Sequence, residues 1–250
     1  MLPFLHQRTS FRHLAAFACV FAGFGWGCCR AHEGTDAIFT NAVEVLSLNA
    51  NEAAQARPVR LRAVVIDEAD PKQRALIVAD QTAGLYVLGN ASLMARFHRR
   101  DLIELTGVSN PGEFAPIVKV TAAKKPGTAP LPSPREVTYH QLATGTMDAQ
   151  WVEVKGVVQQ YLPAAPGTTM RFLVLSVDGG LVHVRMAGPH DPKLLEDAEV
   201  RVQALCFYQF NQKRQMRSPV LQVPPGIPIT IQKFAPADPF AAPVPRRPAC

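Results

Sequence analysis

Hydrophobic and polar residues alternate strictly in two short segments, PVRLRAVV at residues 58–65 and WVEVKGVV at residues 151–158. Alternation over about eight residues is typical of a half-buried β-strand. The predicted inward side is formed by Val59, Leu61, Ala63 and Val65 in the first segment and by Val152, Val154, Gly156 and Val158 in the second. The predicted outward side carries the charged residues Arg60, Arg62, Glu153 and Lys155. The chain therefore contains the same strand pattern twice.

The sequence after each segment repeats the same order of features. A turn-rich stretch comes first, DEADPKQR in one copy and YLPAAPGTTM in the other. Two apolar runs separated by a glycine-containing turn follow, ALIVADQTAGLYVLG and FLVLSVDGGLVHVRM, and they predict a β-hairpin in each copy. Each copy then has a helix-capable stretch (ASLMARFH, DPKLLEDA), a strand-like run (DLIELTGVS, AEVRVQALC) and a last apolar run (APIVKV, SPVLQV).

The repeated unit is about 95 residues long, which indicates a duplicated domain because a unit of that size can enclose its own core. Even the segments that precede the two copies agree, since each places a leucine, Leu48 or Leu142, ten or eleven residues before the first inward valine. We predict one module at residues 40–130, a second at residues 136–236, and a proline-rich tail at residues 237–250.

Three strands, a helix and two further strands are the element order of the OB-fold, a five-stranded Greek-key barrel. Small residues at Ala63, Gly107 and Gly156 suit the sharply curved strands of such a barrel. A generic β-sandwich is the alternative, but the helix after the third strand of each copy favours the barrel. The prediction is therefore an all-β protein with short helices, built from two tandem OB-like barrels.

The N-terminus changes the expected location of the protein. Arg8, Arg12 and His13 precede an uncharged, apolar run over residues 14–29, which is the layout of a secretory signal. Residues 1–30 are thus predicted to be a signal peptide or, as second choice, a membrane anchor. The protein is expected outside the cytoplasm, in the periplasm or on the outer side of the inner membrane. Contact with the membrane is expected through the N-terminus only.

Composition adds little that is specific to a function. The net charge of +6 allows attraction to anionic partners, although part of it comes from the termini. Cys206 lies in phase with Val200, Val202 and Ala204 and is predicted to be a small buried residue. The paired carboxylates Asp67 and Glu68 are predicted to be solvated in a loop. No spacing of histidines or cysteines indicates a metal site, and no nucleophile motif is present, so we expect neither an enzyme nor a cofactor.

Several phrases resemble the tandem OB-like modules in the extracytoplasmic input regions of certain bacterial sensor histidine kinases. They are PVRLRAVV, IVADQTAGLYV, RRDLIELTGVSNPGEFAPIVKV, QLATGTMDAQWVEVKGVV and PADPF, spread over residues 40–245. The chain contains neither a phospho-acceptor context nor an ATP-lid glycine motif. The resemblance therefore implies a non-catalytic sensory or interaction module, with a small molecule, a glycan or a protein as its partner. A separate kinase chain is a further candidate partner.

Ligands on OB barrels commonly lie across the second and third strands and the adjacent loops. On this basis the candidate ligand-binding residues are Tyr86, Phe114, Phe172, Arg185, Tyr208, Phe210, Lys213 and Arg214. The loop FYQFNQKRQMRS alternates aromatic and basic residues, which suits single-stranded nucleic acid, and a nucleic-acid-binding protein is the alternative function. The other interpretation of this loop is a hairpin with rings packed down. Nucleic acid is not the expected partner, because the matching loop of the first copy, NPGEFAP, holds one aromatic residue and a glutamate.

Overall fold

The computed structural model describes residues 37–70, 75–187, 195–210 and 216–236. Strands dominate these residues, and the helices are short. The helices are α1 (Ala42–Leu46), α2 (Ala50–Ala53), α3 (Ala91–Met94) and α4 (Tyr139–Ala143). The strands are β1 (Pro58–Asp70), β2 (Ala75–Ala79), β3 (Gly84–Leu88), β4 (Asp101–Asn110), β5 (Ile117–Thr128), β6 (Arg135–Glu136), β7 (Trp151–Leu162), β8 (Met170–Val177), β9 (Gly180–Ala187), β10 (Glu199–Phe210), β11 (Met216–Val223) and β12 (Thr230–Lys233).

The first five strands form a closed barrel with the order β1-β2-β3-β5-β4. Neighbouring strands are antiparallel except β3 and β5, which run parallel. The helix α3 lies between β3 and β4 in the chain. This is the OB-fold order that the sequence predicts for the first copy. The predicted inward residues of β1 are all buried in the barrel core, while Arg60 and Arg62 are exposed.

The second copy forms a seven-stranded sheet with the order β12-β10-β11-β9-β8-β7-β6. β10 also pairs with β7, so that five strands of the sheet are joined edge to edge around a separate core. β9 and β11 run parallel, as β3 and β5 do. Val152, Val154 and Val158 are fully buried in this core, and Cys206 lies there as predicted.

Two glycines lie where strands come close to each other. A Cβ at Gly107 would meet the carbonyl oxygen of Lys119 at 2.2 Å, and a Cβ at Gly156 would meet that of Ser176 at 2.4 Å. Both contacts are with backbone, which cannot move aside without disturbing a neighbouring strand. The expectation that the curved strands need small residues at these two positions is confirmed.

The helices before the two copies are built alike. Each begins with a capping box, formed by Asn41 and Glu44 in α1 and by Thr138 and Gln141 in α4. The fourth helical residue of each is buried in the adjacent core, and it is Val45 in α1 and Leu142 in α4. The equivalence of Leu48 with Leu142 is therefore wrong, because Leu48 lies beyond the end of α1 and outside that core cluster.

A carboxylate in each copy holds its preceding helix. Oδ2 of Asp80, just after β2, accepts a hydrogen bond from the backbone N–H of Ala42 at 2.7 Å. Oδ2 of Asp178, just after β8, accepts one from the backbone N–H of Tyr139 at 3.3 Å. Both donors are the first residues of their helices, where N–H groups have no partner within the helix. The repeat therefore includes this tertiary contact as well as the strand pattern.

A third apolar cluster joins the two copies. It consists of the buried residues Ile66, Ile77, Ala79, Ala149, Trp151 and Leu205, with Tyr86 and Phe207 packed against it. Gln150 adds two hydrogen bonds of 2.9 Å, accepting from the backbone N–H of Gly84 and donating to its carbonyl. The outer face of the first barrel is therefore packed directly against the second copy.

A buried polar network lies beside this cluster and corrects one prediction. Asp67 is part of β1 rather than a loop, and only 7% of it is exposed. Arg99 donates to its carboxylate at 3.1 Å, and the side-chain amide of Gln222 in the second copy donates to it at 3.2 Å. β1 continues into the predicted turn as far as Asp70, because pairing with β2 and contact with the second copy replace the solvent around Asp67.

Glu153 also differs from its prediction. It points away from the core of the second copy, as the alternation requires, yet it is 9% exposed. The amide of Gln203 donates to its carboxylate at 2.9 Å, the Arg201 guanidinium lies 3.5 Å from it, and β6 runs beside β7. These neighbours cover the side chain. The predicted signal segment, the proline-rich tail and the first half of the second helix-capable stretch lie outside the described residues.

Candidate ligand groove

A groove of about 450 Å³ lies where the two copies meet, and it contains three of the predicted ligand-binding residues. The first barrel contributes the outer face of β2 and β3 and the loop between β4 and β5. The second copy contributes β10 and the turn before β7. The aromatic residues at its surface are Tyr86, Phe114, Phe207 and Tyr208, and the carboxylates are Glu113 and Asp148.

The loop between β4 and β5 places Phe114 at the groove. Its start is fixed by the side chain of Asn110, which accepts a hydrogen bond from the backbone N–H of Gly112 at 3.2 Å. Gly112 has a φ of +61°, and a Cβ there would meet the carbonyl oxygen of Ala115 at 2.2 Å. Only glycine fits such a position without strain. Phe114 follows this tight turn, and 47% of it is exposed.

The turn at residues 146–149 places Asp148. Ala149 has a φ of +58°, and its backbone N–H donates to the carbonyl of Cys206 at 2.9 Å. The side-chain amide of Gln150 donates to the carbonyl of Asp148 at 3.0 Å and also holds Gly84 of the first barrel. The position of Asp148 is therefore fixed by contacts with both copies.

Three rings on the two copies form the inner part of the groove. The rings of Tyr86 and Phe207 lie 6.0 Å apart, centroid to centroid, at an interplanar angle of 52°. The Tyr208 hydroxyl donates to the carbonyl of Leu142 at 2.7 Å and accepts from the backbone N–H of Met147 at 3.2 Å. These contacts hold the rings in place, so the groove is formed before any ligand arrives.

The electrostatics of the groove are dominated by Asp148. Burial raises the pKa of its carboxyl group from 3.8 to about 6, against the opposing effect of the backbone N–H groups of Ala149 and Tyr208. Burial also raises the pKa values of the Tyr86 and Tyr208 hydroxyls, and it raises that of Cys206 to about 12. No lysine, arginine or histidine is found among the described residues that line the groove.

The other predicted ligand-binding residues lie elsewhere. Phe172 lines a separate cavity of about 430 Å³ on the second copy, together with the exposed strand residue His183. Arg185 donates to the side-chain oxygen of Gln222 in the polar network between the copies. Phe210 ends β10, with its backbone opposite Met216. Lys213 and Arg214 lie outside the described residues.

The structure places two rings of FYQFNQKRQMRS, the loop on which the alternative nucleic-acid function depends. Tyr208 is buried in the core of the second copy, and Phe207 packs on Tyr86 of the first barrel. These two rings lie against the core and the junction, at the groove, and do not project from the loop as a platform for successive bases. The loop NPGEFAP, which appeared to be the poorer counterpart, supplies Phe114 and Glu113 to the groove.

Asp148 is the residue that sequence reasoning missed. It lies in the segment ATGTMDAQ, directly before the second copy of the strand pattern. No motif or residue spacing in that segment distinguishes it from the other carboxylates of the chain. Its environment is created by the packing of two modules that are remote in sequence. A search for carboxylates adjacent to the repeat boundaries would have included it, but only alongside many solvated ones.

No protein-family model matches the chain, and no curated protein matches it. Similar solved structures include the hypothetical protein ygiW from E. coli, 14% identical over 36% of this chain and 91% of that chain, with a TM-score of 0.29. The Ifi202 HINa domain in complex with 20-bp dsDNA is 10% identical over 71% of this chain and 97% of that chain, with a TM-score of 0.35. A murine DNA-binding protein bound with dsDNA is 14% identical over 72% and 98% of the two chains, with a TM-score of 0.31.

These TM-scores are too low to carry an argument about fold or function, and none of the comparisons supports the resemblance to sensor-kinase input regions. That resemblance stays a prediction. In the part of the chain that the structure describes, no helix has the length and apolar character needed to cross a membrane. The same residues contain no group of three or more histidine, cysteine or acidic side chains that could hold a metal ion.

Proposed function

We propose that the protein is a non-catalytic binding module, made of two tandem OB-like barrels, that captures a small molecule in the groove between them. The observation that carries this proposal is the groove itself, with ordered aromatic rings from both copies around one partly buried carboxylate. An apolar cavity with a few convergent polar groups is the usual form of a small-molecule site.

The position of the groove on the first barrel supports the proposal. It uses the outer face of the second and third strands and the loop joining the fourth and fifth, where OB barrels commonly hold ligands. The second copy lies against the rest of this face, through Ile77 and Ala79, and leaves the groove open at Phe114. The second copy therefore acts as one wall of the site.

The sequence resemblance to input regions of sensor kinases supports a sensory role outside the cytoplasm. In that role, the presence of the ligand would signal a condition of the environment. A conformational change on ligand binding would then be transmitted to a partner protein. A separate kinase chain fits this role as the partner. The predicted export signal is consistent with it, and both assignments remain part of the proposal.

Fragment binding followed by NMR tests the proposed site. Small aromatic fragments titrated into the ¹⁵N-labelled full chain should shift the amide signals of Phe114, Asp148 and Phe207 together. Phe114→Ala should weaken this binding by about 3–10-fold, because it removes the exposed ring at the mouth of the groove. Phe234→Ala is the matched control, since Phe234 is 64% exposed and lies outside the groove.

Two outcomes would contradict the proposal. One is the absence of any fragment that shifts the groove signals. The other is submicromolar binding of single-stranded nucleic acid at physiological salt, which would favour the alternative function. We expect affinity for single strands no tighter than about 10⁻⁴–10⁻⁶ M, the range of nonspecific attraction.

A further inference from the structure

The chemistry of the groove surface indicates the class of ligand. Its described lining combines four aromatic side chains with two carboxylates and no basic side chain. Aromatic faces attract cations through their quadrupole, and a nearby carboxylate supplies the opposite charge. The same surface repels phosphates and other anions.

We propose that the groove binds an organic cation, with its ammonium or guanidinium group between the aromatic rings and Asp148. This inference rests on the proposed function, because it uses the same groove. The ligand class is set by charge complementarity at Asp148 and by the apolar rings that would desolvate the cation. A cation carrying an aromatic or aliphatic body fits best, since it also fills the apolar part of the surface.

The state of Asp148 in the free protein supports this assignment. Burial raises the pKa of its carboxyl group, and no basic side chain acts on it among the described residues. Keeping this partly buried carboxylate ionised costs free energy, and a bound cation would offset that cost. Ion pairs elsewhere on the described surface are made between side chains of the chain itself, such as Lys124 with Glu104 at 2.8 Å. For Asp148, no basic side chain among the described residues supplies a counter-charge.

The groups that face Asp148 define how binding depends on pH. Tyr86 and Tyr208 come from β3 and β10, and Cys206 lies behind them on β10; burial keeps all three neutral near neutral pH. Glu113 lies on the loop between β4 and β5. The Arg185 guanidinium acts on Tyr86 from β9. Cation affinity should therefore fall as pH drops below about 6, where Asp148 becomes protonated.

Calorimetric titration of the full chain with three probes of similar shape tests the inference. The probes are benzyltrimethylammonium, benzyl alcohol and benzoate. We expect the cation to bind about tenfold more tightly than the alcohol, and benzoate to bind most weakly. Asp148→Asn should remove about tenfold of the cation's affinity and leave that of the alcohol unchanged. Asp178→Asn, outside the groove, is the matched control and should change neither.

The outcomes separate this inference from the proposed function. Equal binding of cation and alcohol, unaffected by Asp148→Asn, would overturn the cation assignment and leave the groove as a small-molecule site. Tightest binding of benzoate would also overturn it and would assign the groove to an anion. Failure of all three probes to bind, in a folded protein, would overturn the assignment together with the proposed function.

Discussion

The inner faces of β1–β3 and β7–β9 are alike, whereas their outer faces differ. The outer face of β1–β3 carries Ile66, Ile77 and Ala79, which are buried against the second copy. The outer face of β7–β9 carries residues such as His183 and Leu181, which are exposed, Leu181 by 57%. Inward positions are constrained because each core needs them. Outward positions are not, so the face of the first barrel has become an interface, whereas on the second copy Trp151 and Glu153 of β7 are covered and the β9 part of the face remains exposed.

This difference explains how two similar modules can make one asymmetric site. The groove needs the buried face of the first barrel and the Phe207–Tyr208 segment of the second copy. A symmetric pair would bury both faces or neither. The polar network around Asp67 also belongs to the interface, since it joins β1 to Gln222 on β11. Stability and the candidate groove therefore depend on the same junction.

The largest expected effect comes from deleting side-chain volume on the two outer faces. Ile77→Ala should lower the free energy of unfolding by about 2–5 kcal/mol, because Ile77 is fully buried at the junction. Val174→Ala on β8 should cost less than about 1 kcal/mol, because that side chain is partly exposed. Urea denaturation of both variants provides the measurement. Equal losses would mean that the two outer faces do not differ energetically.

The second prediction concerns cooperativity between the two cores. Gly156→Val should cost about 1–3 kcal/mol, because its side chain would overlap the backbone of Ser176. Ala63→Phe should cost a similar amount in the first barrel, where Ala63 is buried. Each core is separate, but the third cluster couples them, so both variants should shift one shared unfolding transition.

The control for these variants is Gly127→Ala. No atom lies within 4 Å of the position of its added Cβ, so its effect should stay within about 0.5 kcal/mol. Two separate transitions, each moved by only one of the two core variants, would show that the junction contributes little. That result would favour the simpler expectation of independent modules that the repeat alone suggests.

Much of the strand pattern could be predicted from the sequence, because burial follows the two-residue period in each core. The inward set of β1, the hairpins and the buried Cys206 came from periodicity and turn residues alone. In the second hairpin, Asp178 and Gly179 both have positive φ, as the Asp-Gly pair suggests. These features are local, and they are decided within each module.

The candidate site was less predictable because it depends on contacts between modules. Tyr86 and Phe114 were found from the general location of ligands on OB barrels. Asp148 was missed, and Asp67 was placed in solvent, since their surroundings come from a partner module remote in sequence. Sequence periodicity describes a side chain's face but not what covers that face. Lys213 and Arg214 of the loop after Tyr208 lie outside the described residues, so their predicted role stays a prediction.

The third prediction is the pH dependence of stability at the junction. Since folding raises the pKa of Asp148 from 3.8 to about 6, the folded state holds more protons than the unfolded state between these values. The contribution of Asp148 to stability is therefore present below about pH 4 and is lost as pH rises through 6. Asp148→Asn should raise stability at pH 7 by about 1–2 kcal/mol, allowing for the partial exposure of the residue.

Thermal unfolding from pH 4 to pH 7 measures this effect. The advantage of Asp148→Asn over the wild type should grow across that range and vanish at pH 4. A constant difference at all pH values would indicate a packing effect rather than titration of the carboxyl group.

The smallest expected effect is a difference in unfolding free energy between variants of Asp80 and Asp178, the two carboxylates that hold α1 and α4. Asp80 uses both oxygens, since Oδ2 accepts from Ala42 while Oδ1 accepts from the backbone and hydroxyl of Thr82 and from the backbone of Ala83. Asp80→Asn replaces one acceptor by a donor and should cost about 1 kcal/mol, the net value of a hydrogen bond. Asp178→Asn should stay within about 0.5 kcal/mol, because the amide oxygen can still accept from Tyr139. The urea midpoints of the two variants, at unchanged denaturant dependence of the unfolding free energy, measure both losses of stability. Equal losses would mean that α1 and α4 are held by equivalent contacts.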